Sequence, residues 1–110
     1  MNVRIENMTS SKGNTVANQF KIYTEKGVYF QSYDSVIAFK PYSGKVQLDK
    51  EFWDYSKTTG KYRNMFLRED KTTTEAKINN GTYELVNLNW GKLWHMKHVF
   101  LILMSIDIFQ

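Results

Sequence analysis

Cysteine is absent from the 110 residues. This excludes disulfides, thiolate metal centres and thiol nucleophiles, and leaves the fold to packing and hydrogen bonding. Histidine is confined to His95 and His98, so the first 89 residues hold no side chain whose ordinary pKa suits it to acid–base work near neutral pH. Long apolar runs are also missing. The longest uncharged run of residues 90–110 lies between His98 and Asp107, well short of the roughly 20 residues of a bilayer-spanning helix. Residues 1–6 alternate apolar and polar side chains and lack the apolar run of a signal peptide, so a cytoplasmic location is expected. What is present is bulky. Aromatics make up 15% and hydrophobic residues 42% of the chain, enough for the core of one compact domain and too much for a disordered chain. Fifteen basic residues against 11 acidic give a net charge of +4, which favours phosphates, anionic surfaces or acidic protein patches over the role of a DNA mimic.

Periodicity places strands at both ends of this body. Val3 and Ile5 alternate with Arg4 and Glu6, predicting a strand near residues 2–8, followed by a polar loop over 9–14. Residues 19–24 and 28–33 are β-branched and aromatic, with Glu25, Lys26 and Gly27 between them, so they predict a hairpin. A three-residue connection would put Phe20, Ile22, Val28 and Phe30 on the core face, with Lys21, Tyr23, Tyr29, Gln31 and Tyr33 opposite. Residues 36–39 and 45–48 predict a second hairpin around Pro41 and Gly44. The pattern then changes. Asp49 can cap one or two helical turns over 50–55, and Thr58 or Thr59 can cap a helix over 60–69 that places Tyr62, Met65 and Phe66 on its core face. A third short helix is expected from Thr73 to a left-handed Gly81, and a last strand over 82–88. The expected fold is a single α+β domain. It has a mostly antiparallel sheet of five or six strands and two or three short helices between residues 49 and 81.

Candidate chemistry is sparse. His95 and His98 could share a helical face around a metal, but no cysteine and few carboxylates stand near them, so neither a metal nor any other cofactor is expected. Asp49, Glu51 and Asp54 cluster around Trp53; helix capping and a solvated face explain them better than catalysis. Gly60-Lys61 lacks the hydroxyl residue and the upstream glycine of a phosphate-binding loop. A binding role therefore precedes an enzymatic one. Trp53, Tyr55, Lys57, Lys61, Arg63 and Arg68 combine aromatic anchors with cations, the residue types that dominate interface energy, and form the candidate partner-binding surface; Trp53 could equally belong to the core. Nucleic acid is the alternative partner. For it, Lys57, Lys61, Arg63, Arg68 and Lys71 would hold phosphates, and Tyr23, Tyr29 and Tyr33, if they shared an exposed sheet face, would stack on bases.

Residues 90–110 differ in composition from the rest. Val99, Phe100, Leu101 and Leu103 are expected to pack on the domain or to mediate self-association, because such a run left in water would aggregate. Taken together, residues 16–20 (VANQF), 29–38 (YFQSYDSVIA) and 53–67 (WDYSKTTGKYRNMFL) resemble a family of small uncharacterised proteins encoded by bacteriophages of low-GC bacteria. The resemblance covers about residues 1–89 and leaves 90–110 as a hydrophobic C-terminal extension. It carries no catalytic motif. It implies a phage accessory protein, in the cytoplasm of the bacterial host, that binds and blocks a host defence or nucleic-acid-processing factor, CRISPR nucleases included, as an anti-CRISPR-like inhibitor does.

Overall fold

The computed structural model describes residues 3–89. Six strands, β1 (Arg4–Thr9), β2 (Thr15–Tyr23), β3 (Gly27–Ser32), β4 (Ser35–Pro41), β5 (Gln47–Asp49) and β6 (Glu84–Val86), form one sheet in sequence order. Every neighbouring pair is antiparallel except β5 with β6. A parallel pair needs a crossover, and here it consists of α1 (Lys57–Leu67) and α2 (Lys71–Asn79). The expected α+β domain is the one observed. Among the described residues no helix is long and apolar enough to cross a membrane.

The β2–β3 hairpin forms where expected but in a different register. Ile22 pairs with Tyr29 and Lys21 with Phe30, so Phe20 and Ile22 share a face with Tyr29 and Gln31, while Val28 and Phe30 point the other way. The turn is the cause. Thr24 N–H donates to Gly27 O at 2.9 Å, leaving only Glu25 and Lys26 at the tip instead of three residues. The Thr24 hydroxyl braces this turn, donating to Gly27 O and accepting from Lys26 N–H and Gly27 N–H. A slip of one residue carries every side chain of a strand to the opposite face. Gly27 is required by the next strand as well, because a Cβ there would overlap the Lys40 carbonyl oxygen and Pro41 Cα.

The helices cover one face of the sheet. Phe30, Ala38 and Leu48 are fully buried there with Met8 and Tyr83, under Tyr62 and Phe66 of α1. The Phe30 and Phe66 rings lie 5.6 Å apart. Ile37 joins this core because β4 bulges: Phe30 pairs with Ala38 and Gln31 with Val36, leaving Ile37 as the extra residue. Met65, expected beside Tyr62 and Phe66, is instead 38% exposed.

Caps set the helix limits. Ser56 caps α1, its hydroxyl accepting from Thr59 N–H at 3.1 Å. The expected caps Thr58 and Thr59 fall inside the helix, and the Thr59 hydroxyl instead meets Ser32 Oγ at 2.8 Å, tying the first turn to the end of β3. Asp70 caps α2 through Thr73 N–H, three residues before the expected cap, and Gly81 is left-handed as anticipated (φ 84°). Residues 50–55 form one hydrogen-bonded turn, Trp53 N–H to Asp49 O. The buried Asp49 carboxylate accepts from Glu51 and Phe52 N–H and also from Leu88 N–H, which joins β5 to the chain beyond β6. Asn89 clasps both polar backbone groups of Val36 at 2.8 Å. The expected tail contacts of Val99, Phe100, Leu101 and Leu103, and both histidines, lie outside the described residues.

Candidate functional site

The segment from Trp53 to Lys71 wraps around the start of α1, and a buried arginine holds it together. Arg63, on the sheet side of the helix, is 1% exposed. Its guanidinium lies 5.1 Å from the centre of the Trp53 ring, and it donates to Trp53 O at 2.8 Å, Asp54 Oδ1 at 2.9 Å and Asn64 Oδ1 at 2.8 Å. A buried charge with this many partners positions its neighbours firmly, and removing one partner leaves it costly to keep buried. Asp54 receives a second cation, Lys71 Nζ, at 2.6 Å. Burial alone would raise the Asp54 pKa, but hydrogen bonds from Lys71 and Arg63 outweigh it and hold the carboxyl below its ordinary value. The same carboxylate raises the pKa of Lys71. A loop, the second turn of α1 and the first residue of α2 are thereby pinned at one carboxylate.

Outside this lock runs an open groove lined by Ser56, Lys57, Gly60, Lys61 and Lys71, with Asp54, Arg63 and Asn64 at its floor. Lys57, Lys61 and Lys71 are exposed. The first turn of α1 holds no acidic residue, so the positive end of the helix dipole adds to the lysines rather than being neutralised. Asp54 offsets one of the four positive charges. The groove is suited to an anionic or acidic partner. Among the described residues no cluster of three or more metal-ligating side chains exists.

The six expected surface residues separate into two sets. Lys57, Lys61 and Arg68 are exposed, and Tyr55 is 48% exposed, its ring edge-on to Phe52 at 5.5 Å. Trp53 is half-buried against the core, the other role foreseen for it. Arg63 is almost wholly buried and meets the groove only at its floor, because its planar fork fits three acceptors, Trp53 O, Asp54 and Asn64. Lys71, expected among the phosphate-holding cations but not in the protein-binding set, lines the groove, and Asp54, expected only as a capping or solvated carboxylate, meets it across 17 positions. The three tyrosines considered for base stacking share no face. Tyr23 bonds Glu6 Oε1 beneath Arg4, Tyr29 stacks on Phe39 on the opposite side of the sheet, and Tyr33 lies past the end of β3 in left-handed backbone.

The model of a family of unknown function (DUF8033) matches residues 3–81, and the chain belongs to that family. The match runs from β1 through α2 and includes the whole groove. No curated protein and no solved structure matches the sequence.

Proposed function

We propose that this member of the family is a non-catalytic binding protein that docks an acidic surface of a host protein on the groove at the start of α1. The carrying observation is the cationic rim of Lys57, Lys61 and Lys71 on a loop–helix junction that Arg63 and Asp54 hold rigid. A rigid rim loses little conformational entropy on binding. Tyr55 supplies an exposed aromatic next to Ser56 in the chain, whereas Arg68, also exposed, caps the far end of α1 and stands away from the groove. The resemblance to phage accessory proteins supplies the biological sense: inhibition of a bacterial defence or nucleic-acid-processing factor, as anti-CRISPR proteins inhibit theirs. The test is capture from a bacterial lysate with the wild-type chain and with Lys57→Glu/Lys61→Glu. Proteins held by the wild type and lost from the variant support this reading; identical captures sink it.

Direct binding of nucleic acid through the same lysines is the second reading, favoured by their position at a helix N-terminus. Titration with random-sequence DNA and RNA separates the two. Phosphate-driven affinity falls steeply with salt, whereas the protein-docking reading expects no appreciable binding even at low salt.

A further inference from the structure

We propose that β1 pairs with β1 of a second copy about a two-fold axis, joining two sheets into one. In the sheet order β1 is an edge strand, and among the described residues only β2 pairs with it. An open edge is a template for another strand unless something blunts it, and the bulge between Asn7 and Thr9 does so only at the far end of β1. The charges before the bulge are of both signs. Arg4 and Glu6 are exposed, 65% and 44% at their side chains, and flank Ile5. In an antiparallel pair centred on Ile5, Arg4 of each copy stands opposite Glu6 of the other and Ile5 opposite Ile5. Side chains directly opposite across such a pair share a face, and opposite charges there attract. The edge is therefore complementary to itself in the one arrangement that two-fold symmetry allows at that residue.

The apolar side of the sheet agrees. Ile5 pairs with Ile22, Ile22 with Tyr29 and Tyr29 with Phe39, one row of apolar side chains across four strands on the face opposite α1 and α2, which among the described residues carries no helix. Ile5 ends that row and is 42% exposed. Pairing at β1 would continue the row into its symmetry mate and cover Ile5. The bulge between Asn7 and Thr9 limits the pairing to the segment around residues 3–7. An edge this short buries less than the roughly 1,000 Å² of a stable interface, so the dimer is a weak one.

Sedimentation equilibrium on the full chain tests the pairing. The wild type should show a reversible monomer–dimer equilibrium. Glu6→Arg makes the edge wholly basic and Arg4→Glu makes it wholly acidic; each alone should weaken the dimer at least about tenfold, the cost of setting like charges opposite one another. An equimolar mixture should regain the wild-type dimer as a heterodimer, which also shows that both variants are folded. A wild type that stays monomeric at every concentration overturns the proposal. So do single variants that dimerise as tightly as the wild type, the result expected if residues 99–103 joined the copies, and so does a mixture that remains monomeric.

Discussion

The two faces of this sheet are built from the same strands and do different work. On the helix side, Phe30, Ala38 and Leu48 are sealed beneath Tyr62 and Phe66, and the crossover that seals them is the element carrying the cationic groove. On the other side Ile5, Ile22, Tyr29 and Phe39 form a row whose members cover one another, the Tyr29 and Phe39 rings stacking at 4.2 Å. Interlayer packing removes apolar surface from water almost completely, whereas packing within one layer leaves part of each ring exposed. Stability should therefore concentrate on the helix face. The helix face also positions the proposed binding residues, so damage there should reach function through the fold.

The largest expected effect tests this asymmetry directly. Phe30→Ala removes a fully buried ring from the contact with Phe66 and should cost about 3–5 kcal/mol, the usual range for a core phenylalanine. Chemical denaturation would measure it. A loss below about 1 kcal/mol would mean that the helices lie loosely on the sheet, and the contrast between the faces would collapse.

Which face Phe30 occupies was only half legible in the sequence. The strand pattern, the hairpins and the crossover region follow from alternation, turn residues and caps, all of which act between near neighbours. The face assignment of Phe20 and Ile22 against Val28 and Phe30 depended on whether two or three residues make the β2–β3 turn, and both choices suit the local sequence Thr-Glu-Lys-Gly. What selects the tighter turn is visible only in three dimensions, where the Thr24 hydroxyl takes up the loop amides. The candidate site was legible to a similar extent. Its lysines stood out by type, but Arg63 reads as a surface cation until Trp53 O, Asp54 and Asn64 are seen around it. An amphipathic pattern records which residues can be buried, and an arginine enters that set only when distant acceptors converge on it.

A smaller effect is expected at the lock between the loop and α1. Asp54→Asn keeps the shape but withdraws the negative charge from between Arg63 and Lys71, and should cost about 1–2 kcal/mol at neutral pH, given charge-assisted hydrogen bonds in a partly exposed position. The pH dependence distinguishes this cause from lost packing. Because the folded-state pKa of Asp54 is depressed, its contribution is full above the unfolded carboxyl pKa of about 4 and is lost as pH falls through the lower folded value. The stability difference between wild type and variant should therefore be constant from neutral pH down to about 5 and shrink in stronger acid. A difference that persisted unchanged at pH 2 would show that the charge was not its source.

The smallest effect belongs to the other face and sharpens the contrast most. Phe39→Ala breaks the stack with Tyr29 but opens only a half-covered layer, so a loss of about 1 kcal/mol is expected, less than half that of Phe30→Ala if the faces differ as described. Tyr29 provides a local reading of the same change. Burial raises its phenol above the ordinary value of 10.0, and removing the ring stacked on it admits water, so in the variant it should ionise closer to that value. Carbon-13 shifts of labelled tyrosine rings followed through alkaline pH would show it. A Tyr29 titration left where it stands in the wild type would mean that something other than Phe39 shields this face, and the row from Ile5 to Phe39 would then belong to a second covered layer, with stability shared between the two.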